Sequence, residues 1–448
     1  MRGKRGHLLL IAGVSLAMFV PYGVTGPAFF VDDWWTLRNG AFNGWWNAAG
    51  DAQWGARPGA SATYAVTFGL IGERPTVHYA LAFLVVSSAA LLLYVVAARF
   101  LPRAVSVGLA VLWLILPNHT SLEMWASTIN IGLALALTLA GIERATRGEV
   151  RAVDDVVAAL LFGAAVLSYE AVAPAAILAV SFIALGREPG TRALLVVPTM
   201  TTTGLAGAWM VLNWHPDKQG LNATLKPALI FPGHFGETIT GSEVGSAVIG
   251  GAVLVATAVA GYRLLLRPAS SDWRERLLFA GWIVVAVGVL PFVRYFYSPI
   301  GFGDRVTVVS GIGSAMVLVS AIVLVARWRV AAGVVLACLV VLFALPQRVS
   351  LVSDYATAAD DSRRIRAAVK ARWPDPPAET IVVGPEPIIE RGIVPFYDVG
   401  ATFQLLYGST AVSADFTLDE EEFLQAPAEW RIDVRPLARL DDGELGAP

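Results

Sequence analysis

Apolar residues in this chain come in long unbroken runs, not in the alternating or three-to-four spacing of soluble strands and helices. Eleven stretches stand out, at roughly 7–26, 77–99, 104–118, 126–142, 152–168, 171–186, 191–213, 245–266, 277–293, 306–326 and 330–346. A bilayer core needs about 20 apolar residues per helix, so each run predicts a transmembrane helix. The shorter runs, 104–118 and 171–186, suit broken, tilted or re-entrant elements. The polar connections between runs are of two kinds. One set is short and basic: Arg99 and Arg103; Arg144, Arg147 and Arg151; Arg187 and Arg192; Arg263, Arg267, Arg274 and Arg276; Arg327 and Arg329. By the positive-inside rule these loops are cytoplasmic, and so is the N-terminus, where Arg2, Lys4 and Arg5 precede the first run. No small-x-small cleavage pattern stands out before Pro27, so the first run reads as an uncleaved helix. The opposite loops are longer and carry Trp, Pro, Gly, His and acids.

The pattern changes after Pro346. Residues 347–448 are charged and proline-dotted, and an odd number of spans puts them outside. Within them, 354–373 predicts a helix with Ile365, Val369 and Trp373 on one face. Residues 380–383 predict a strand, and 430–440 alternate in part. The acid run 419–422 reads as a solvated face. The expected fold class is therefore an all-α polytopic membrane protein, with a transmembrane domain over 1–346 and a small extracytoplasmic α/β domain over 347–448.

Composition agrees. Only 15% of the 448 residues are charged, against about 25% in soluble domains, and mean hydropathy is +0.62. A net charge of −2 gives no footprint for nucleic acid. Cys338 is the single cysteine, so no internal disulfide can form. No Walker loop, G-x-S-x-G elbow or H-x-x-x-H or C-x-x-C metal spacing occurs.

Candidate chemistry collects on the external side. Asp32 and Asp33 follow the first apolar run within a few residues, flanked by Phe29, Phe30, Trp34 and Trp35. Acids also occur in ordinary wet loops. Here an interfacial position would desolvate the carboxylates and raise their basicity, and ionisable groups at membrane depth are costly and usually functional. Were the pair extended, the two side chains would point opposite ways. Glu123 and Glu170 are further carboxylates on this side. Arg305, Arg294 and Arg57 are juxtamembrane arginines, whose planar fork binds phosphate oxygens in pairs. Lipid headgroups or Asp304 are the ordinary partners for Arg305. His119 could move a proton, although an interfacial histidine without that duty is the commoner case. Trp34 and Tyr297 could contact sugar or lipid, or form an aromatic belt.

In these features the chain resembles the GT-C fold glycosyltransferases, polytopic enzymes that use polyprenyl-phosphate-linked sugars. The resemblance rests on one helix followed by the acidic pair in Val31-Asp32-Asp33-Trp34 at the head of a long external loop. It also rests on the loop Pro117 to Trp125, on Leu167 to Glu170 followed by Pro174, and on Gly303-Asp304-Arg305. Ser168-Tyr169-Glu170 is similar to a Ser-Lys-Glu element of such proteins, with Tyr169 in place of Lys. The tail from 347 is outside the resemblance. What the resemblance implies is inverting transfer of a sugar from a polyprenyl-phosphate donor to an envelope glycan, lipid or protein of a bacterium. The first acid would be the general base and the second would orient substrate or metal. Arg305, Arg294 and Arg57 would hold the donor phosphate; Glu170, Glu123, His119, Trp34 and Tyr297 would contact substrate. A divalent ion such as Mg or Mn suits acids and phosphate oxygens, but members of the fold differ in needing one.

Other readings compete. A transporter or flippase predicts charges near span centres and repeated broken helices, whereas these spans are nearly charge-free. A non-catalytic assembly protein would make Asp32 and Asp33 dispensable. An envelope polymerase or acyltransferase would also face outward and differs only in having no need of the early acidic pair.

Overall fold

Each of the eleven apolar runs carries a helix in the computed structural model, which describes residues 2–30, 32–50, 57–147, 151–213, 243–266, 272–289, 308–375, 379–384, 399–417 and 420–433. In chain order the helices are α1 (Arg2–Thr25), α2 (Asp32–Phe42), α3 (Pro58–Tyr64, running on as a π-helical turn Ala65–Ile71), α4 (Pro75–Phe100), α5 (Arg103–Ile115), α6 (Ser121–Met124), α7 (Ile129–Ala145), α8 (Ala152–Ser168), α9 (Ala173–Leu185), α10 (Pro189–Asn213), α11 (Glu243–Leu266), α12 (Trp273–Val289), α13 (Val308–Trp328) and α14 (Val330–Arg372). Among the described residues, five helical stretches are long and apolar enough to cross a membrane: Arg5–Thr25, Pro75–Phe100, Ala126–Ala145, Val308–Trp328 and Val330–Arg372. Their outer faces expose large apolar side chains such as Leu9, Leu84 and Leu342. Water would penalise such a face, and a hydrocarbon phase matches it. The chain is a multi-pass membrane protein.

Inside the bundle there is no apolar gain between helix and lipid, so close backbone approach replaces it. The α12–α13 contact illustrates this. A Cβ on Gly288 would lie 2.3 Å from the Ser310 nitrogen, and one on Gly313 would lie 2.5 Å from the Val285 nitrogen. Only glycine lets these helices touch.

Two elements depart from the sequence expectation. The loop after α1 is not extended at the acidic pair: Asp32 and Asp33 open α2, where carboxylates complement the helix dipole. And the compositional break at 347 is not a structural one, because α14 runs unbroken for 43 residues through Pro346. Its C-terminal half holds the predicted 354–373 helix, with Ile365 and Val369 buried.

Beyond it lie β1 (Ile381–Gly384), α15 (Val399–Tyr407), β2 (Ala414–Phe416), α16 (Glu420–Gln425) and β3 (Arg431–Asp433). The strands form a parallel sheet of order β2-β1-β3, with Ile381 opposite Ala414 and Val382 opposite Arg431. Parallel neighbours need crossover connections, and α15 and α16 lie in them. The small C-terminal unit is thus α/β. It shares one core with the first loop: Phe29, Trp34, Leu37 and Phe68 pack with Ile365, Val369, Ile381 and Phe403. Arg38 donates to Gln404 at 2.7 Å, and Arg366 pairs with Glu73 at 2.7 Å, across the same seam.

Candidate active site

Helix α2 separates its two acids by the roughly 100° that one helical residue turns. Asp33 points inward and is completely buried. Its Oδ2 accepts the Phe30 backbone N–H at 2.9 Å, while the Asp33 N–H donates to the Phe30 carbonyl at 2.8 Å. Its Oδ1 accepts the Ser127 backbone N–H at 2.8 Å. The side chain therefore closes the start of α2 and ties it to the turn Ala126–Thr128. Burial pushes the Asp33 carboxyl up to about 8, against the pull of the two backbone donors.

That raised value has a stability consequence. The folded chain keeps this proton where an unfolded carboxyl, near 3.8, has released it. Asp33 therefore favours the fold most at low pH, and its contribution falls as pH rises from about 4 to about 8. The thermal midpoint in detergent is expected to fall across this window. In Asp33→Asn the slope should flatten, from a lower starting point, because the amide NH₂ meets a backbone N–H. An unchanged slope in the variant would sink this assignment.

Asp32 points outward, into a cavity of about 330 Å³. Small-molecule sites begin at about that size. Trp35 and Thr36 complete the α2 wall, Ala60 and Tyr64 come from α3, and Ser127, Thr128, Asn130 and Ile131 form the floor. Arg57 and Tyr169 close the far side. The walls are tied together: Tyr64 donates to the Ser127 carbonyl at 2.8 Å, and Asn130 Nδ2 donates to the Ser168 carbonyl at 3.2 Å. Gly59 lets α3 meet the end of α8, since a Cβ there would lie 2.6 Å from Ser168 Oγ. This contact sets Arg57 against Glu170, at 2.5 Å, with its guanidinium 5.7 Å from the centroid of the Tyr169 ring.

Of the residues singled out in the sequence, Asp32 and Arg57 thus line one cavity, and Glu170 stands behind Arg57 as its ion-pair partner. Trp34 instead lies in the core shared with the C-terminal unit, edge-on to Phe29 and 4.7 Å beneath the Arg366 guanidinium. The cavity takes Trp35, the next residue along. Arg305, Arg294 and Tyr297 lie outside the described residues.

His119 and Glu123 form a second, fully buried cluster. His119 stacks on Trp113 at 4.4 Å, and its Nε2 lies 3.6 Å from Glu123 Oε1. Arg348, from the middle of α14, donates to Glu123 Oε2 and, at 3.3 Å, to the Leu116 carbonyl. Burial holds the His119 imidazole well below its usual value, with Arg348 adding to the effect. Burial also pushes the Glu123 carboxyl up, and Arg348 pulls it partly back. Sequence reasoning passed over Arg348 because it follows the last apolar run. The available signal was its place on a buried stripe with Val352, Tyr355 and Ala359.

No family model and no curated protein matches the chain. Among solved structures the chain is similar to the crystal structure of ArnT from Cupriavidus metallidurans in the apo state, with 13% identity and a TM-score of 0.37, over 92% of this chain and 86% of that one. The residue roles below therefore rest on this chain's own geometry.

Proposed function

We propose that the Asp32 cavity is the reaction site of an integral-membrane glycosyltransferase of the GT-C type, moving a sugar from a polyprenyl-phosphate donor to an envelope acceptor on the extracytoplasmic face. The observation that carries this reading is an exposed carboxylate and a guanidinium on one cavity, among aromatic and hydroxyl side chains, beside the end of the first span. Lipid-linked sugar transfer needs that set: a base, a phosphate grip and a surface for a sugar ring.

In the proposed step Asp32 takes the proton from an acceptor hydroxyl. The acceptor oxygen bonds to the anomeric carbon as the bond from that carbon to the phosphate oxygen breaks. The electron pair leaves with polyprenyl phosphate. A single displacement of this kind inverts the anomeric centre. Arg57 receives the phosphate, exchanging Glu170 for a doubly hydrogen-bonded oxyanion. Trp35, Tyr64 and Tyr169 offer ring faces to the sugar, and Thr36, Thr128 and Asn130 offer polar atoms. Asp33 is a positioning residue, since it touches α2 and Ser127 and not the cavity. Arg294, Arg305 and Tyr297 remain candidates for donor contacts, whereas Glu123 and His119, expected to contact substrate, are buried outside the cavity and take no part in the step. Among the described residues no three His, Cys, Asp or Glu side chains converge as metal ligands.

Arg57→Ala tests the grip. Losing a charged hydrogen bond to phosphate costs about 1.5–3 kcal/mol, so donor KM should rise about 10- to 100-fold. Turnover at saturating donor should change less. An unchanged donor KM would remove Arg57 from the phosphate site. Absence of sugar transfer by the wild type, with polyprenyl-phosphate sugars and envelope acceptors supplied, would remove the whole reading.

A further inference from the structure

A second cavity, of about 290 Å³, opens between α11 and α13 at the arginine-rich face. Its lining is apolar along its length, with Gly251, Val255 and Val259 on one side and Leu324 on the other. Arg263, Glu275 and Trp328 close its end. The groove is open for a reason legible in the chain: a Cβ on Gly250 or Gly251 would meet nothing within 4 Å. Val255 is 59% exposed, so the groove is accessible from the lipid side.

The end of the groove is charged and shared by three helices. Arg263 pairs with Glu275 at 3.6 Å and lies 5.8 Å over the Trp328 ring. Asp272 pairs with Arg274 and, at 2.7 Å, with Arg327. These pairs bring the end of α11, the start of α12 and the end of α13 to one face. Three arginines (263, 274 and 327) share two acids, Asp272 and Glu275, in these pairs, so the cluster itself carries an excess positive charge. Arg263 and Arg327 are each nearly half exposed. Twelve helical residues separate Gly251 from Arg263, a length of about 18 Å. That matches one leaflet of a hydrocarbon core of about 30 Å.

We infer that this groove is a binding site for an anionic phospholipid, with one acyl chain lying along Gly251–Val259 and the phosphate held by Arg263 and Arg327 beside Trp328. Charge complementarity selects the occupant. A zwitterionic lipid would fill the groove equally well but carries no net charge to match the excess positive charge of the cluster. The site lies on different helices from the Asp32 cavity and stands or falls independently of the proposed reaction.

Native mass spectrometry of the full chain in detergent, titrated with phosphatidylglycerol or with phosphatidylcholine, tests this. The wild type should retain one phosphatidylglycerol on the order of tenfold more tightly than phosphatidylcholine. Gly251→Leu should fill the groove and weaken phosphatidylglycerol binding by about tenfold or more. It should also keep its thermal midpoint, because leucine favours helix over glycine and has free space there. If that variant does not fold, Val255→Trp obstructs the same groove from its exposed side. Arg263→Gln with Arg327→Gln should erase the preference between the lipids. Equal affinity for the two lipids in the wild type, or unchanged phosphatidylglycerol binding in a folded groove-filling variant, would overturn the inference.

Discussion

Asp32→Asn is expected to lower sugar-transfer turnover by about 10²–10⁴-fold, the usual worth of a positioned general base, with little change in folding. The second half follows from exposure. Asp32 is solvent-exposed at the cavity, so the amide is accommodated without burying an unsatisfied group. The stability control separates Asp32 from its neighbour, whose carboxyl group accepts two backbone N–H groups. Turnover and thermal midpoint measured on both single variants give the test. Asp32 as base predicts loss of turnover alone at 32, and loss of both together at 33. A fully active Asp32→Asn enzyme would end the assignment.

Arg348→Met is expected to destabilise the fold by about 3–5 kcal/mol, because it leaves a buried carboxylate without its cation. Glu123 and Arg348 are essentially sealed from solvent, at 0% and 2% side-chain exposure, so solvent screening does not reduce the cost. Glu123→Leu alone strands the guanidinium and should cost a similar amount. The double variant should recover most of either loss, since an apolar pair of similar volume often replaces a buried ion pair at little cost. Chemical unfolding of the three variants measures the coupling. Single-variant losses below about 1 kcal/mol would show that water reaches the cluster after all.

The spans were readable in the sequence because the bilayer imposes their length and apolarity directly, with little help from tertiary context. Helix α2 was not readable. Its sequence, DDWWTLRNGAF, has no clear apolar periodicity, and it buries Asp33, Thr36 and Asn39 beside Trp34 and Leu37. What it packs against, Ile365, Val369 and Phe403, lies more than 300 positions later. The acidic pair stood out as a candidate by its place at the end of a span. Which acid faces the cavity depended on its helical phase, and so on that hidden element. Arg57 and Glu170 were each visible as lone juxtamembrane charges; their meeting depended on a glycine contact between α3 and α8. Arg348 was lost because composition placed it in the tail, whereas its helix belongs equally to the last span.

That helix has a mechanical corollary. At 1.5 Å per residue, 43 residues make a rod of about 65 Å, more than twice the thickness of the oily layer it crosses. About half of it therefore lies beyond the hydrocarbon, and its C-terminal part is braced against α2 through Arg366 over the Trp34 ring and through the shared apolar core. A tilt of the last span would therefore be passed as a lever stroke to the helix that carries Asp32, which couples the seating of this span in the bilayer to the shape of the Asp32 cavity.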